Sequence, residues 1–80
     1  MPTIYRSDGF RIAIYPNDHE PAHVHVFHGD GEVKINLGSS GDFPSIVKIF
    51  NMPSKLVVQA FDIVLAEQEN FIRIWREIHE

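Results

Sequence analysis

Apolar and polar residues alternate through the first half of the chain and recur every three or four positions through its last third. The sequence therefore divides into a strand-rich front and a helical back. Thr3–Arg6 and Phe10–Tyr15 flank Ser7-Asp8-Gly9, a turn in which glycine supplies the positive φ that closes a short hairpin. In the second arm Phe10, Ile12 and Ile14 share one face. Residues 16–21, PNDHEP, are too polar and too proline-bracketed for regular structure and read as an ordered loop. Ala22–His28 and Glu32–Leu37 are joined by Gly29-Asp30-Gly31 and alternate cleanly. Val24 and Val26 point one way, His23 and His25 the other. Across the turn Val33, Ile35 and Leu37 alternate with Glu32, Lys34 and Asn36, predicting an antiparallel hairpin with one wet side. His23 and His25, with Glu32 and Lys34, are expected on that exposed side. His28 sits at the strand end, where its face is undetermined.

Residues 38–42, GSSGD, read as a flexible loop, and a weakly patterned strand falls within Phe43–Phe50. Pro53 suits the first position of a helix, after which Val57, Phe61, Val64, Gln68, Phe71, Trp75 and Ile78 follow at alternating spacings of four and three. A helix from Ser54 to His79 would run ~39 Å, so it either projects or breaks near Glu69-Asn70. No Gly or Pro enforces a break there, and a continuous or slightly bent helix is expected. The predicted fold is α+β, an antiparallel sheet of four to five short strands with a long C-terminal helix packed across it. Its core should include Val24, Val26, Val33, Ile35, Phe61, Val64 and Trp75. The outer residues of the helix, Phe71, Ile74, Trp75 and Ile78, overhang strands that span only ~17–24 Å and form a candidate partner interface.

Composition narrows the picture. Eighty residues make one domain, 1–80, and a chain of this size buries roughly 60% of its unfolded surface. A hydrophobic content of 44%, with nine aromatic residues (one Trp, two Tyr, six Phe), is too high for disorder. A core this small supplies only about 3–5 kcal/mol, so self-association is expected to add support. With no cysteine, neither a disulfide framework nor a thiolate zinc site is available, and only a histidine and carboxylate metal site remains. Eleven acidic residues outnumber seven basic ones, which argues against a nucleic-acid footprint. The chain shows no signal-peptide pattern at its start and no apolar stretch long enough for a membrane span, so a cytoplasmic protein is expected.

The candidate chemistry lies in DHEPAHVHVFHG, residues 18–29, which holds four of the five histidines. Residues two apart on a strand project side by side, so His23 and His25 can offer two imidazoles to one divalent metal such as zinc, with Asp18 or His19 added from the loop. Alternatively His19, His23 and His25 supply a general acid and base, with Arg6, Arg11 or Lys34 as cations for a phosphate. Two histidine motifs do not fit. Histidine-triad hydrolases alternate histidine with apolar residues three times, whereas His28 comes one position late. The cupin pattern follows His-x-His with a glutamate three or four residues on, whereas Glu32 lies seven beyond His25, across a turn.

MPTIYR, Gly9, NDHEPAHVHV, Gly29, MPSK and Trp75 together carry a resemblance over nearly the whole chain. They resemble a family of small bacterial proteins designated as a domain of unknown function, whose members open MPTI-x-R, continue D-H-x-P-P-H-F-H and end in a helix bearing a Trp. Asp18, His19, Pro21, His23 and His25 fall on the family string, while Ala22 stands where Pro is usual. Members are often encoded beside another small protein in a toxin–antitoxin-like arrangement. The resemblance implies a protein-interaction component of such a pair, with a neighbouring-gene product or a second copy as partner. The alternative is a His-dependent nuclease or metal-dependent hydrolase using the Asp-His-x-Pro-x-His-x-His cluster.

Overall fold

A computed structural model of the chain describes residues 2–39 and 41–80. Five strands, β1 (Thr3–Ser7), β2 (Phe10–Ala13), β3 (His23–His28), β4 (Gly31–Asn36) and β5 (Ser45–Phe50), are followed by helices α1 (Ser54–Ala66) and α2 (Gln68–His79). The strands form one antiparallel meander in chain order, β1-β2-β3-β4-β5. Asp8 and Gly9 both take positive φ between the paired Ser7 and Phe10, the geometry a two-residue hairpin loop demands. Gly31 opens β4 because a side chain there would collide with the Asn51 carbonyl.

Alternation sets the faces as expected. Phe10, Ile12, Ile14, Val24, Val26, Val33, Ile35 and Leu37 are buried on one side of the sheet, where Val57, Ala60, Val64, Phe71, Ile72 and Trp75 from the helices cover them. The ring of Tyr5 meets Phe71 edge-on at 5.5 Å between centroids. His25 of β3 lies in register with Ala13 of β2 and Lys34 of β4, and Phe27 with Arg11 and Glu32, so these residues occupy the opposite face. Phe61, expected in the core, is only half-buried, while Glu32 and Lys34, expected in solvent, are half-buried too.

The single long helix is replaced by two. Glu67 leaves the helical region (φ −105°, ψ 13°), and its N–H still caps α1 by donating to the Ile63 carbonyl. The break therefore precedes Glu69-Asn70. Its physical anchor is Gln68, whose buried side-chain amide donates to the carbonyls of Leu37 and Asp42, both at 2.6 Å. A 39 Å rod would outrun the molecule, whose longest extent is 33 Å. Folding back also changes the candidate partner interface. Phe71 and Trp75 are buried in this chain's own core, and Ile74 and Ile78 pack half-buried against it.

β5 has no counterpart in the core. Every residue from Ser45 to Phe50 is exposed, although four of the six are large and apolar. A register shift between Lys34 and Ile35 sets Val47 and Lys48 together opposite Lys34, a bulge that kinks this outermost strand.

Candidate metal centre

The loop before β3 folds back over the start of that strand. The Asp18 N–H donates to the Tyr15 carbonyl at 3.0 Å and the Tyr15 N–H returns to Asp18 Oδ2 at 3.3 Å, which fixes the carboxylate. Trp75 ties the loop to α2, its indole N–H donating to Glu20 at 3.1 Å. Asp18 Oδ2 then lies 3.2 Å from His23 Nε2 and 3.1 Å from His25 Nε2. His23, expected in solvent, is 4% exposed, and His25 is half-buried. The returning loop and the Trp75 ring, 5.2 Å from that of His23, cover what parity alone would leave wet.

The remaining ring nitrogens settle the protons. His23 Nδ1 is 2.9 Å from the Pro21 carbonyl and His25 Nδ1 is 2.9 Å from Glu32 Oε2. Both partners only accept, so both Nδ1 atoms carry hydrogen, and in the neutral rings both Nε2 lone pairs face the Asp18 oxygen. Three electron-rich atoms converging within 4.8 Å of one another require a cation among them, either protons on the imidazoles or one shared metal ion. The Nδ1 hydrogen bonds are those that orient metal-binding histidines elsewhere. A tetrahedral zinc with bonds of about 2.0–2.1 Å separates neighbouring donors by about 3.3 Å, close to both distances to Asp18. Burial raises the Asp18 carboxyl, but the hydrogen bonds from His25 and the Tyr15 amide, with the charges of His25 and His23, reverse this and hold it below the ordinary carboxylate range.

Of the four residues assigned to a metal from sequence, Asp18, His23 and His25 come together. His19 lines the same cleft but stays exposed outside the cluster. The acid/base set of His19, His23 and His25 is thus divided as well. His28 lies on the opposite face, its ring 4.7 Å from that of Phe10. Glu32, seven residues beyond His25, accepts from that ring and is the partner that chain separation hides. The hairpin register makes it His25's diagonal neighbour on the same face, and this signal was present in the alternation. The Pro21 carbonyl and Glu20 left no such signal.

The chain is thus a small α+β protein with a five-stranded antiparallel meander, two C-terminal helices and an Asp-His-His cluster at the start of β3, bordered by Trp75 of α2. The profile of the family described as Domain of unknown function (DUF4160) matches residues 9–76, and the chain belongs to that family. No curated protein and no solved structure matches it.

Proposed function

We propose that this protein is a metal-dependent hydrolase centred on Asp18, His23 and His25. The observation that supports this reading is that two imidazole nitrogens lie within 3.2 Å of one carboxylate oxygen, all three ligand atoms within 4.8 Å of one another, with both imidazoles oriented from behind. Three protein donors leave a tetrahedral ion one open position, the arrangement of catalytic rather than structural zinc. A divalent ion bound there would supply Lewis acidity to a water and to the bond it attacks. In the hydrolysis the water oxygen bonds to the electrophilic centre, the ester bond breaks, and the leaving oxygen takes a proton from the water. Zinc titrated calorimetrically into chelator-treated protein above pH 7 should bind one ion per chain. His23→Ala and Asp18→Asn should each weaken it at least tenfold, and absence of any binding heat would retire the reading.

A second reading, the interaction component of a toxin–antitoxin-like pair in the cytoplasm, draws support from β5. Phe43 is 76% exposed and Phe50 62%, and Ile46, Val47 and Ile49 are exposed with them. Val58 and Leu65 of α1 are exposed too. The two readings are compatible, because Val47, Lys48 and Phe50 line the clefts beside the cluster, where a docked partner would restrict entry. No helix is long and apolar enough to cross a membrane among the described residues. Co-purification with the product of an adjacent small gene, lost on Ile49→Glu, is the expected outcome. A complex indifferent to that change would count against β5 as the docking strand.

A further inference from the structure

The sheet face that carries His25 also carries two lysines in an unusual setting. Register places Lys34 of β4 opposite His25 on one side and opposite Lys48 of β5 on the other. Like charges directly opposed across strands destabilise a sheet. Among the described residues neither ammonium makes an ion pair or hydrogen bond, although the chain has eleven acidic residues to offer. Two clefts adjoin at Lys34. One, of about 370 Å³, is lined by His25, Glu32, Lys34, Lys48 and Phe50. The other, of about 390 Å³, is lined by Asp18, His23, His25 and Lys34 among others. The two clefts share His25 and Lys34, so a groove running through both would pass the exposed Phe50 ring, Glu32 and the unpaired Lys34 and Lys48 before reaching the Asp18–His23–His25 cluster.

We propose that this groove binds a nucleoside phosphoester, its phosphate held by Lys34 and Lys48, its base against Phe50 and its ester bond directed towards the cluster. The ligand assignment stands on the groove, and only the hydrolysis of that ligand rests on the metal-centre reading. A phosphate offers three oxygens besides its ester oxygen, enough to engage two ammonium groups and still present one to the cluster, whereas a carboxylate has two in all. Phe50 supplies the flat apolar surface that nucleobases stack on irrespective of identity. A mononucleotide suits the molecule better than a polymer, because a net charge of −4 repels a long polyanion while a local pair of lysines still attracts one phosphate.

The experiment compares adenosine 5′-monophosphate, adenosine and inorganic phosphate by calorimetry, on chelator-treated and on zinc-loaded protein at low salt. The monophosphate should bind in both states, at least tenfold tighter than adenosine, and tighter again with zinc. Lys34→Gln with Lys48→Gln should remove that preference, and Phe50→Ala should bring the monophosphate roughly tenfold closer to inorganic phosphate. Lys48 is exposed and Lys34 half-buried, and unchanged circular dichroism confirms the fold of the variants. A monophosphate that binds no better than adenosine, or that binds the lysine double variant equally well, overturns the phosphoester groove whatever zinc does. Lysine-dependent binding without any uptake of zinc upholds the groove and removes only the metal-centre reading.

Discussion

At the scale of single residues, the cluster couples charge to stability with a definite sign. The Asp18 carboxyl titrates below its ordinary range in the folded chain and near about 3.9 in the unfolded one. A depressed carboxyl stabilises the fold at pH above the unfolded value, and that contribution is lost as pH falls through the folded value. With chelator present, urea midpoints of the wild type should therefore fall below about pH 4, and Asp18→Asn should lack that component. An identical acid limb in both proteins would mean that Asp18 is not held by the histidines. Glu32 separates orientation from ligation, since it touches only the far nitrogen of His25. Glu32→Gln should weaken zinc binding by roughly 10–100-fold with one ion still bound, the loss usual for partners behind a ligand. Of this site the sequence shows the two side-by-side imidazoles and the acidic loop before them. It does not show the burial of His23, which comes from the folding back of that loop and from Trp75 near the far end of the chain.

At the scale of elements, alternation was a sound guide wherever one face of a strand is covered, and it placed Val24, Val26, Val33 and Ile35 in the core. It was a poor guide to β5, whose apolar residues are exposed and whose period is interrupted by the bulge. The helix shows the converse. A continuous apolar stripe runs through the break at Glu67 because α1 and α2 pack on the same core, so periodicity alone cannot register a change of direction. The one irregular member of that stripe is Gln68, a polar side chain among Val, Phe and Trp. Its amide binds two loop carbonyls and so pins the start of α2 to the end of β4. Gln68→Leu keeps the volume but leaves Leu37 and Asp42 without that donor, and should cost about 2 kcal/mol in urea unfolding. A neutral result would place the cause of the break elsewhere.

At the scale of the whole molecule, the question is what an 80-residue chain does with an uncovered strand. Two features blunt the edge of β5 against indiscriminate pairing, the bulge at Val47 and the charge of Lys48. Its helix-side face has no such protection. Ile46 and Ile49 lie in register with the core residues Ile35 and Val33, and with Val58 and Leu65 of α1 they leave that side of the molecule apolar. A patch on the order of 500 Å² is at the upper end of what monomers expose. Contributed by each of two copies, it would bury about 1,000 Å² in total, the lower bound for a specific interface. Association of the wild type in sedimentation equilibrium is therefore expected through this patch and not through the end of α2. Ile49→Lys with Val58→Lys should give a monomer of unchanged circular dichroism. Trp75→Ala should leave association intact but cost about 3–5 kcal/mol of stability, because that ring fills the chain's own core. A wild type that stays monomeric up to about millimolar, or that dissociates on Trp75→Ala without losing stability, would exclude a second copy as what covers β5.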